Sequence, residues 1–296
     1  AKSGLTIRVS RGLSGEEICS LQAAEDWDVS DLKWEIGERS DLPEMQQRLV
    51  SKGRVLVNHE MLSKAFPGGG THEVVAIRMD PEWAQTILDV ASGHKSLQEV
   101  EASRRQDREL VLAAVKRNGM QLEHACKELR ADRDVVMCAV AERGQALGFA
   151  AEPLRGDLEI VSAAAKRDGL AMKHATDSAR GDPTLGLIAV RQNGWSLELL
   201  SEELQGRRDI VMVAIEQEGQ AIKFVSDELR NDREIVIKAV KSNAEALRVI
   251  GKHHKRDPEV VRAASMGVRM RGFGGLNYFK SLLGEDASML DFSSAA

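Results

Sequence analysis

The chain has 296 residues, 43% of them hydrophobic, which is enough to build the cores of two domains of usual size. Its 41 basic and 46 acidic residues give a formal net charge of -5, so no overall positive field favours nucleic acid or an anionic membrane. No apolar run approaches the roughly 18 residues of a membrane span. We therefore expect protein partners, no nucleic acid and no transmembrane segment.

The first elements read as strands that flank one helix. Residues 5–9, LTIRV, alternate in polarity, and the stretch LSGEEI adds a turn and a second strand. Residues 29–38, VSDLKWEIGE, have helical spacing. The stretches LPEMQQRLVSKGRVL and HEVVAIRM then read as strands after a turn. These patterns predict the order ββαββ.

Residues 5–79 resemble ubiquitin. The resemblance lies in residues 42–49, LPEMQQRL, and in Gly53 and Leu56, which follow them in the chain. The resemblance implies a β-grasp domain over residues 1–79.

The resemblance also implies a hydrophobic receptor-binding face, which maps to Leu13, Val50 and Ala76. We expect the alanine to truncate this face and weaken binding to ubiquitin receptors. The chain continues past Met79 into Asp80-Pro81, whereas a conjugated ubiquitin ends in Gly-Gly. We therefore expect a built-in module rather than a tag.

Another helix is predicted to begin at Asp80-Pro81, where aspartate can act as the N-cap and proline fits the first helical position. Trp83, Ile87 and Leu88 would share one face, and Gly93 follows the end. We interpret residues 80–104 as a degenerate helical hairpin that caps the following repeats without a flexible linker.

A phrase of the form D-R-x-apolar-Val then recurs at a period of 25 residues. Its seven copies start at Asp107, Asp132, Asp157, Asp182, Arg207, Asp232 and Asp257. Alanine stands seven residues after every start, which indicates close helix packing. Glycine stands twelve residues after each of the first five starts, where we expect a left-handed turn that ends the helix. A second, shorter helix should follow.

One such helical hairpin cannot bury its apolar stripe alone, so consecutive copies should stack. Residues 105–264 resemble tandem repeats of a domain-of-unknown-function family of bacteria and protists that read D-R-E-V-V-L-x-A-V-x-x-N-G. The resemblance implies an α-helical fold and no assigned reaction. The predicted fold class is α+β, with the β-grasp domain followed by an all-α solenoid of seven hairpins over residues 105–265.

The tail, residues 266–296, contains the run MGVRMRGFGGLNYFKSLL with the aromatic residues Phe273, Tyr278 and Phe279. One interpretation is a cap that covers the last repeat. The other is an anchor whose aromatic rings fill a pocket on a partner protein.

Catalytic and metal-binding patterns are weak. The nearest metal-like set is His124, Cys126 and Cys138, but both cysteines stand at or beside positions that carry alanine in other repeats, which favours small buried thiols. We expect no enzyme activity, metal or cofactor. Three scattered cysteines suit a reducing compartment such as the cytosol or an organelle stroma.

Two functions remain open. The first is a noncatalytic scaffold, an accessory or linker subunit of a larger assembly. Because a ubiquitin-like head joined to such repeats resembles products of algal protists, this could be a photosynthetic or respiratory supercomplex, with the plastid as one compartment. The second is a ubiquitin-pathway adaptor that recruits the proteasome or a ligase. An exposed Trp195, at a mostly small or aliphatic position, would mark a contact surface.

Overall fold

The computed structural model of the chain describes residues 5–12, 14–24, 26–58, 60–270 and 281–283. These residues fall into two compact units, Ala1–Ala114 and Val115–Ala296. The first unit holds all the strands of the described residues, and the second is helical.

The N-terminal unit begins with a mixed five-stranded sheet in the order β2-β1-β5-β3-β4. Its strands are β1 (Leu5–Arg11), β2 (Glu17–Ala23), β3 (Gln47–Ser51), β4 (Arg54–Val55) and β5 (Gly70–Arg78). Its helices are α1 (Val29–Glu38), α2 (Leu62–Ala65) and α3 (Pro81–Ser92), with 3-10 turns at Glu44–Gln46, Leu97–Glu99 and Ala102–Arg104.

Helix α1 packs across one face of this sheet. Its buried residues Val29, Leu32 and Ile36 share a core with Ile7 of β1 and Leu49 of β3. The β-grasp prediction is confirmed, but the order ββαββ was incomplete. The stretch expected to be one strand folds back on itself as the β3–β4 hairpin, and β5 is therefore a fifth strand.

The turn of this hairpin has a weak sequence signal, which is why a single strand was expected there. Lys52 and Gly53 have φ values of 49° and 76°, so this two-residue turn occupies the left-handed region at both positions. Only one of the two residues is a glycine, which leaves a weak turn signal in the sequence.

Helix α3 begins as predicted. The Asp80 carboxylate accepts a hydrogen bond of 3.0 Å from the backbone N–H of Trp83, and Gly93 ends the helix with a φ of 82°. The buried face differs from the prediction: it is formed by Ala84 and Val90, while Leu88 is exposed.

From helix α4 (Arg108–Arg117) onward, the described chain forms six 25-residue periods of three elements each, followed by one further long helix. The other long helices are α6 (Arg133–Glu142), α8 (Leu158–Arg167), α10 (Pro183–Gln192), α12 (Arg208–Gln217), α14 (Arg233–Ser242) and α16 (Pro258–Met270). The short helices are α5 (Lys127–Arg130), α7 (Glu152–Arg155), α9 (Asp177–Arg180), α11 (Glu202–Gln205), α13 (Asp227–Arg230) and α15 (Lys252–Lys255). From α6 to α16 each long helix packs against the next in chain order. Residues 107–264, all of them described, contain no strand.

In the first six repeats, the expected second helix is in fact two elements. A 3-10 helix comes first and one of the four-residue α-helices follows. The 3-10 helices are Gly119–His124, Gly144–Phe149, Gly169–His174, Gly194–Leu199, Gly219–Phe224 and Ala244–Arg248. Side chains in a 3-10 helix repeat every three residues, so the apolar spacing alone could not separate the two kinds of helix.

The repeated glycines do not make the left-handed turn that was expected. All five are described, and none has a positive φ. A Cβ atom on any of them would instead lie between 2.1 and 2.5 Å from a carbonyl oxygen of the next long helix. The pairs are Gly119 and Ala139, Gly144 and Ala164, Gly169 and Ala189, Gly194 and Ala214, and Gly219 and Ala239. The glycine and the invariant alanine are therefore the two sides of one backbone contact between neighbouring repeats.

Backbone hydrogen bonds also join the repeats. The N–H that precedes four of the short helices donates to a carbonyl at the end of the previous short helix. These bonds run from Ala151 to Arg130, Thr176 to Arg155, Ser201 to Arg180 and Ser226 to Gln205, over 2.8 to 3.1 Å. They satisfy carbonyl groups that a helix C-terminus leaves without an intrahelical partner.

Aspartate caps the long helices as predicted, and Arg207 is the exception. Asp232, for example, accepts hydrogen bonds from the N–H groups of Glu234 and Ile235 at 2.9 and 3.1 Å. Arg207 makes no capping bond and pairs with Asp209 at 2.7 Å.

We expect Arg207→Asp to raise the free energy of unfolding by about 0.5–1 kcal/mol, because the cap outweighs an exposed ion pair. Urea unfolding measures this change. Arg207→Ala is the matched control, since it loses the ion pair without adding a cap, and it should give no gain. An equal gain in both variants would contradict the capping explanation.

Candidate interaction surfaces

The outer face of the β-sheet carries three apolar side chains in one cluster. The register pairs Val50 with Val75 and Arg48 with Ile77, and directly paired residues point to the same side of a sheet. Val50 and Val75 are half-buried, and Ile77 is 42% exposed. We call Val50, Val75 and Ile77 the outer apolar cluster.

Ala76 does not belong to this face. It pairs with Leu49, is 1% exposed, and lies in the core beneath α1. The expected truncation of the face by an alanine therefore does not occur, because Ile77 lies at that end of β5. Sequence reasoning missed Val75 and Ile77 because Val74, Val75, Ala76 and Ile77 are all apolar, and such a run does not reveal which alternate residues face outward.

Two arginines at the ends of β1 and β5 share one acidic partner. Arg11 and Arg78 both bind the Asp41 carboxylate, at 2.6 and 3.0 Å. The hydrogen bond from Arg11 lowers the pKa of Asp41 below its usual range. One carboxylate thus orients two guanidinium groups near the ends of β1 and β5.

A buried ionic cluster joins the β-grasp domain to the start of the first repeat. Lys33 Nζ on α1 lies 3.3 Å from Glu109 Oε1 on α4, and these side chains are 3% and 7% exposed. Arg48 Nη2 on β3 contacts Asp107 Oδ2 at 2.5 Å, and its Nε lies 3.7 Å from Glu109 Oε2. Removing either partner of such a pair would leave an uncompensated buried charge.

An open cleft of about 570 Å³ lies next to this cluster. Its walls include Val55, Trp83 and Arg104, and the Arg104 guanidinium carbon lies 4.7 Å from the centre of the Trp83 ring. The same walls carry Arg48 and Asp107, which bind each other. These two charged groups of the cleft are therefore already paired with each other.

Trp195 is half-buried and makes a contact between repeats. Its ring lies edge-on to Phe224 of the next repeat, with 6.1 Å between the centroids. The Lys223 ammonium lies 4.7 Å from the Trp195 ring centroid and 4.5 Å from that of Phe224. The tryptophan is neither fully exposed nor in the core, and its role as a partner contact stays a prediction.

Four of the predicted binding residues lie outside the described part of the chain: Leu13, Phe273, Tyr278 and Phe279. Beyond the last long helix, Leu282 and Leu283 are described, and both are buried within the C-terminal unit. This burial favours the cap interpretation for that part of the tail.

The described residues hold no group of three or more histidine, cysteine or acidic side chains that could bind a metal ion. Cys126 and Cys138 are half-buried rather than fully buried. Among the described helices, none combines the length and the apolar character that a membrane-spanning helix needs.

Two histidines of the repeats have lowered pKa values. Burial is the main cause that lowers the pKa of both His174 and His254 below the usual value. A lowered histidine pKa means that the fold favours the neutral ring. The stabilising effect is present above the unfolded pKa of about 6.5 and is lost as the pH falls through the folded pKa.

We therefore expect the free energy of unfolding to fall between pH 7 and pH 5. The decrease should be smaller in the double variant His174→Gln/His254→Gln. His94→Gln, at an exposed ring, should keep the wild-type decrease. Urea unfolding at both pH values measures these changes, and an unaltered decrease in the double variant would contradict the assignment.

The geometry defines a class of protein: a β-grasp domain joined to tandem helical repeats. Comparison with known families identifies both parts of the chain. Residues 5–65 match the ubiquitin family, and residues 107–155, 157–205 and 207–255 match a domain of unknown function, DUF4116. The chain thus carries an N-terminal ubiquitin domain followed by three tandem DUF4116 repeats, each of which spans two 25-residue periods. Both resemblances are confirmed.

Curated relatives match only part of the chain. Ubiquitin-like protein 4A of Rattus norvegicus is 33% identical over 29% of this chain and 66% of its own length. The Mus musculus protein of that name is 33% identical over 29% of this chain and 52% of its own length. The Rhinolophus ferrumequinum protein of that name is 45% identical over 18% of this chain and 32% of its own length. The chain thus spans about a third to two thirds of the length of these relatives. The similarities and the ubiquitin domain support a role in protein interaction.

Proposed function

We propose that the chain is a noncatalytic scaffold that holds proteins together in a larger assembly. The outer apolar cluster forms one contact and the repeats offer a second. The observation that carries the proposal is this cluster, where three apolar side chains share a solvent-facing side of the sheet and Ile77 is 42% exposed. Exposed apolar side chains that lie close together on a protein surface mark sites of protein interaction.

The specialised form of this proposal places the chain as an accessory or linker subunit of an organellar assembly, photosynthetic or respiratory. This form is supported by a resemblance: the combination of a ubiquitin-like domain with such repeats is similar to that of proteins from algal protists. The net charge of -5 supports protein rather than nucleic acid as the partner.

Ile77→Asp tests the scaffold proposal in the full chain, because a buried carboxylate in an apolar contact is strongly unfavourable. Tagged wild-type and variant chains are added to native extract, and the retained proteins are quantified by mass spectrometry. We expect Ile77→Asp to reduce the retained set at least about tenfold. Trp34→Asp is the matched control, since Trp34 is 55% exposed on α1, away from the outer face, and it should retain the set. Equal retention by Ile77→Asp would contradict the proposal.

One observation favours the second function, a ubiquitin-pathway adaptor. Ala76 points into the core, so the outer face keeps an isoleucine where a truncating alanine had been expected. Purified proteasomal ubiquitin receptors distinguish the two functions. An adaptor should bind them through Ile77, whereas a scaffold without a role in the ubiquitin pathway should not bind.

A further inference from the structure

Three arginines join consecutive repeats of the C-terminal unit in the same way. Each stands at the second position of one 25-residue period and binds the carboxylates at the first and third positions of the next period. The contacts are Arg133 with Asp157 and Glu159, Arg208 with Asp232 and Glu234, and Arg233 with Asp257 and Glu259. Each arginine lies 24 residues before the aspartate that it contacts. The D-R-x phrase thus encodes both sides of the contact between periods.

The first period has the two carboxylates but lacks this arginine before it. Asp107 and Glu109 stand at its first and third positions. The residue 24 positions before Asp107 is Trp83, which carries no charge. The equivalent position in the segment that precedes the repeats therefore offers no cation for this contact.

The ubiquitin domain supplies the missing cation. Arg48 on β3 binds Asp107 at 2.5 Å and lies 3.7 Å from Glu109, so one guanidinium again meets the first and third positions of a period. Lys33 on α1 adds a second cation at Glu109. Both contacts lie within the N-terminal unit.

This contact is less hydrated than its counterparts between repeats. The Arg48 side chain is 24% exposed, whereas the three arginines of the repeats are 44–55% exposed. Exposed ion pairs contribute little to stability, while loss of one partner from a buried pair has a large effect. The contact through Arg48 should therefore matter more than any single contact between repeats.

We propose that the ubiquitin domain is the N-terminal cap of the repeats and that Arg48 acts in place of the arginine of a preceding repeat. Terminal repeats need such a cap because one of their packing surfaces has no neighbour. The amino-terminal edge of the first period is then occupied by a domain of the same chain. Other proteins, including a second copy of this chain, are excluded from that edge.

Hydrogen exchange of the full chain, followed by mass spectrometry, tests the proposal with three variants. Arg48→Ala should speed exchange of the amides in residues 107–114 at least about tenfold, while β1 and β5 stay protected. Arg48→Lys keeps the charge and should retain most of the protection. Arg133→Ala, the matched change between two repeats, should leave residues 107–114 unaffected.

Two results would overturn the proposal. In the first, Arg48→Ala leaves exchange in residues 107–114 within about twofold of wild type, which would show that the contact does not stabilise the first repeat. In the second, Arg48→Ala removes protection throughout residues 5–79. The arginine would then serve the fold of the ubiquitin domain rather than the edge of the repeats.

Discussion

Replacing Gly219 by alanine is expected to lower the free energy of unfolding of the C-terminal unit by about 3 kcal/mol. The added Cβ would lie 2.2 Å from the Ala239 carbonyl oxygen and 2.7 Å from the Asn243 amide nitrogen. Both are backbone atoms of the next repeat, so no flexible side chain can move aside. Overpacking of this kind typically destabilises by about 1–3 kcal/mol, and a backbone clash belongs at the upper end.

Gly181→Ala is the matched control for this prediction. Gly181 ends a short helix with a φ of -91°, and its nearest atoms lie 3.6 Å from an added Cβ. We expect no loss of stability, and a gain of up to about 1 kcal/mol because alanine restricts the unfolded chain. Urea unfolding of both variants measures the difference. Equal effects at Gly219 and Gly181 would show that the glycines are not required for close packing between repeats.

Replacing Lys33 by methionine is expected to lower the free energy of unfolding of the N-terminal unit by about 3 kcal/mol. The change leaves the buried Glu109 carboxylate without its nearest cation, while Arg48, at 3.7 Å, remains as a second cation. Losses of about 3–5 kcal/mol follow when one partner of a buried pair is removed, and the remaining arginine should reduce the effect to the lower end.

The double variant Lys33→Met/Glu109→Gln separates charge from packing. Because it also removes the buried carboxylate charge, it should recover at least about half of the loss. Lys64→Met, at an exposed lysine of α2, is the control for the loss of one positive charge and should change stability little. A loss in Lys33→Met no larger than in Lys64→Met would contradict the role of the buried pair.

The repeated helical architecture could be predicted from the sequence because the period of 25 residues is exact and the capping aspartates are local signals. The role of the glycines could not. A glycine after a helix is typical both of a left-handed turn and of a close backbone approach, and only the next repeat distinguishes them. The constant spacing between each glycine and the invariant alanine of the following repeat was the available signal.

The ubiquitin fold was also predictable, because the stretch LPEMQQRL and the glycine behind it are specific. The outer apolar cluster was not, since the side on which Ala76 lies depends on its pairing with Leu49 in another strand. A shift of one residue reverses the face of every side chain in a strand. The contacts of Lys33 and Arg48 were equally hidden, because their acidic partners lie 59 to 76 residues away.

The arginines between repeats were within reach of sequence reasoning. The D-R-x phrase places an arginine beside each capping aspartate in several periods, and a stacked array brings that arginine next to the following period. In two of the periods that are followed by another, the arginine is replaced, by Leu158 and by Pro183. The meaning of these replacements became clear only from the arginine–carboxylate pairs seen in the structure.

Chemical crosslinking in native extract, combined with size-exclusion chromatography, tests the scaffold proposal most directly. We predict that the full chain elutes in an assembly larger than the monomer and that Lys52, two residues from Val50, crosslinks to another protein. Ile77→Asp should remove both signals. A chain that elutes as a monomer and forms only intramolecular crosslinks would contradict the account.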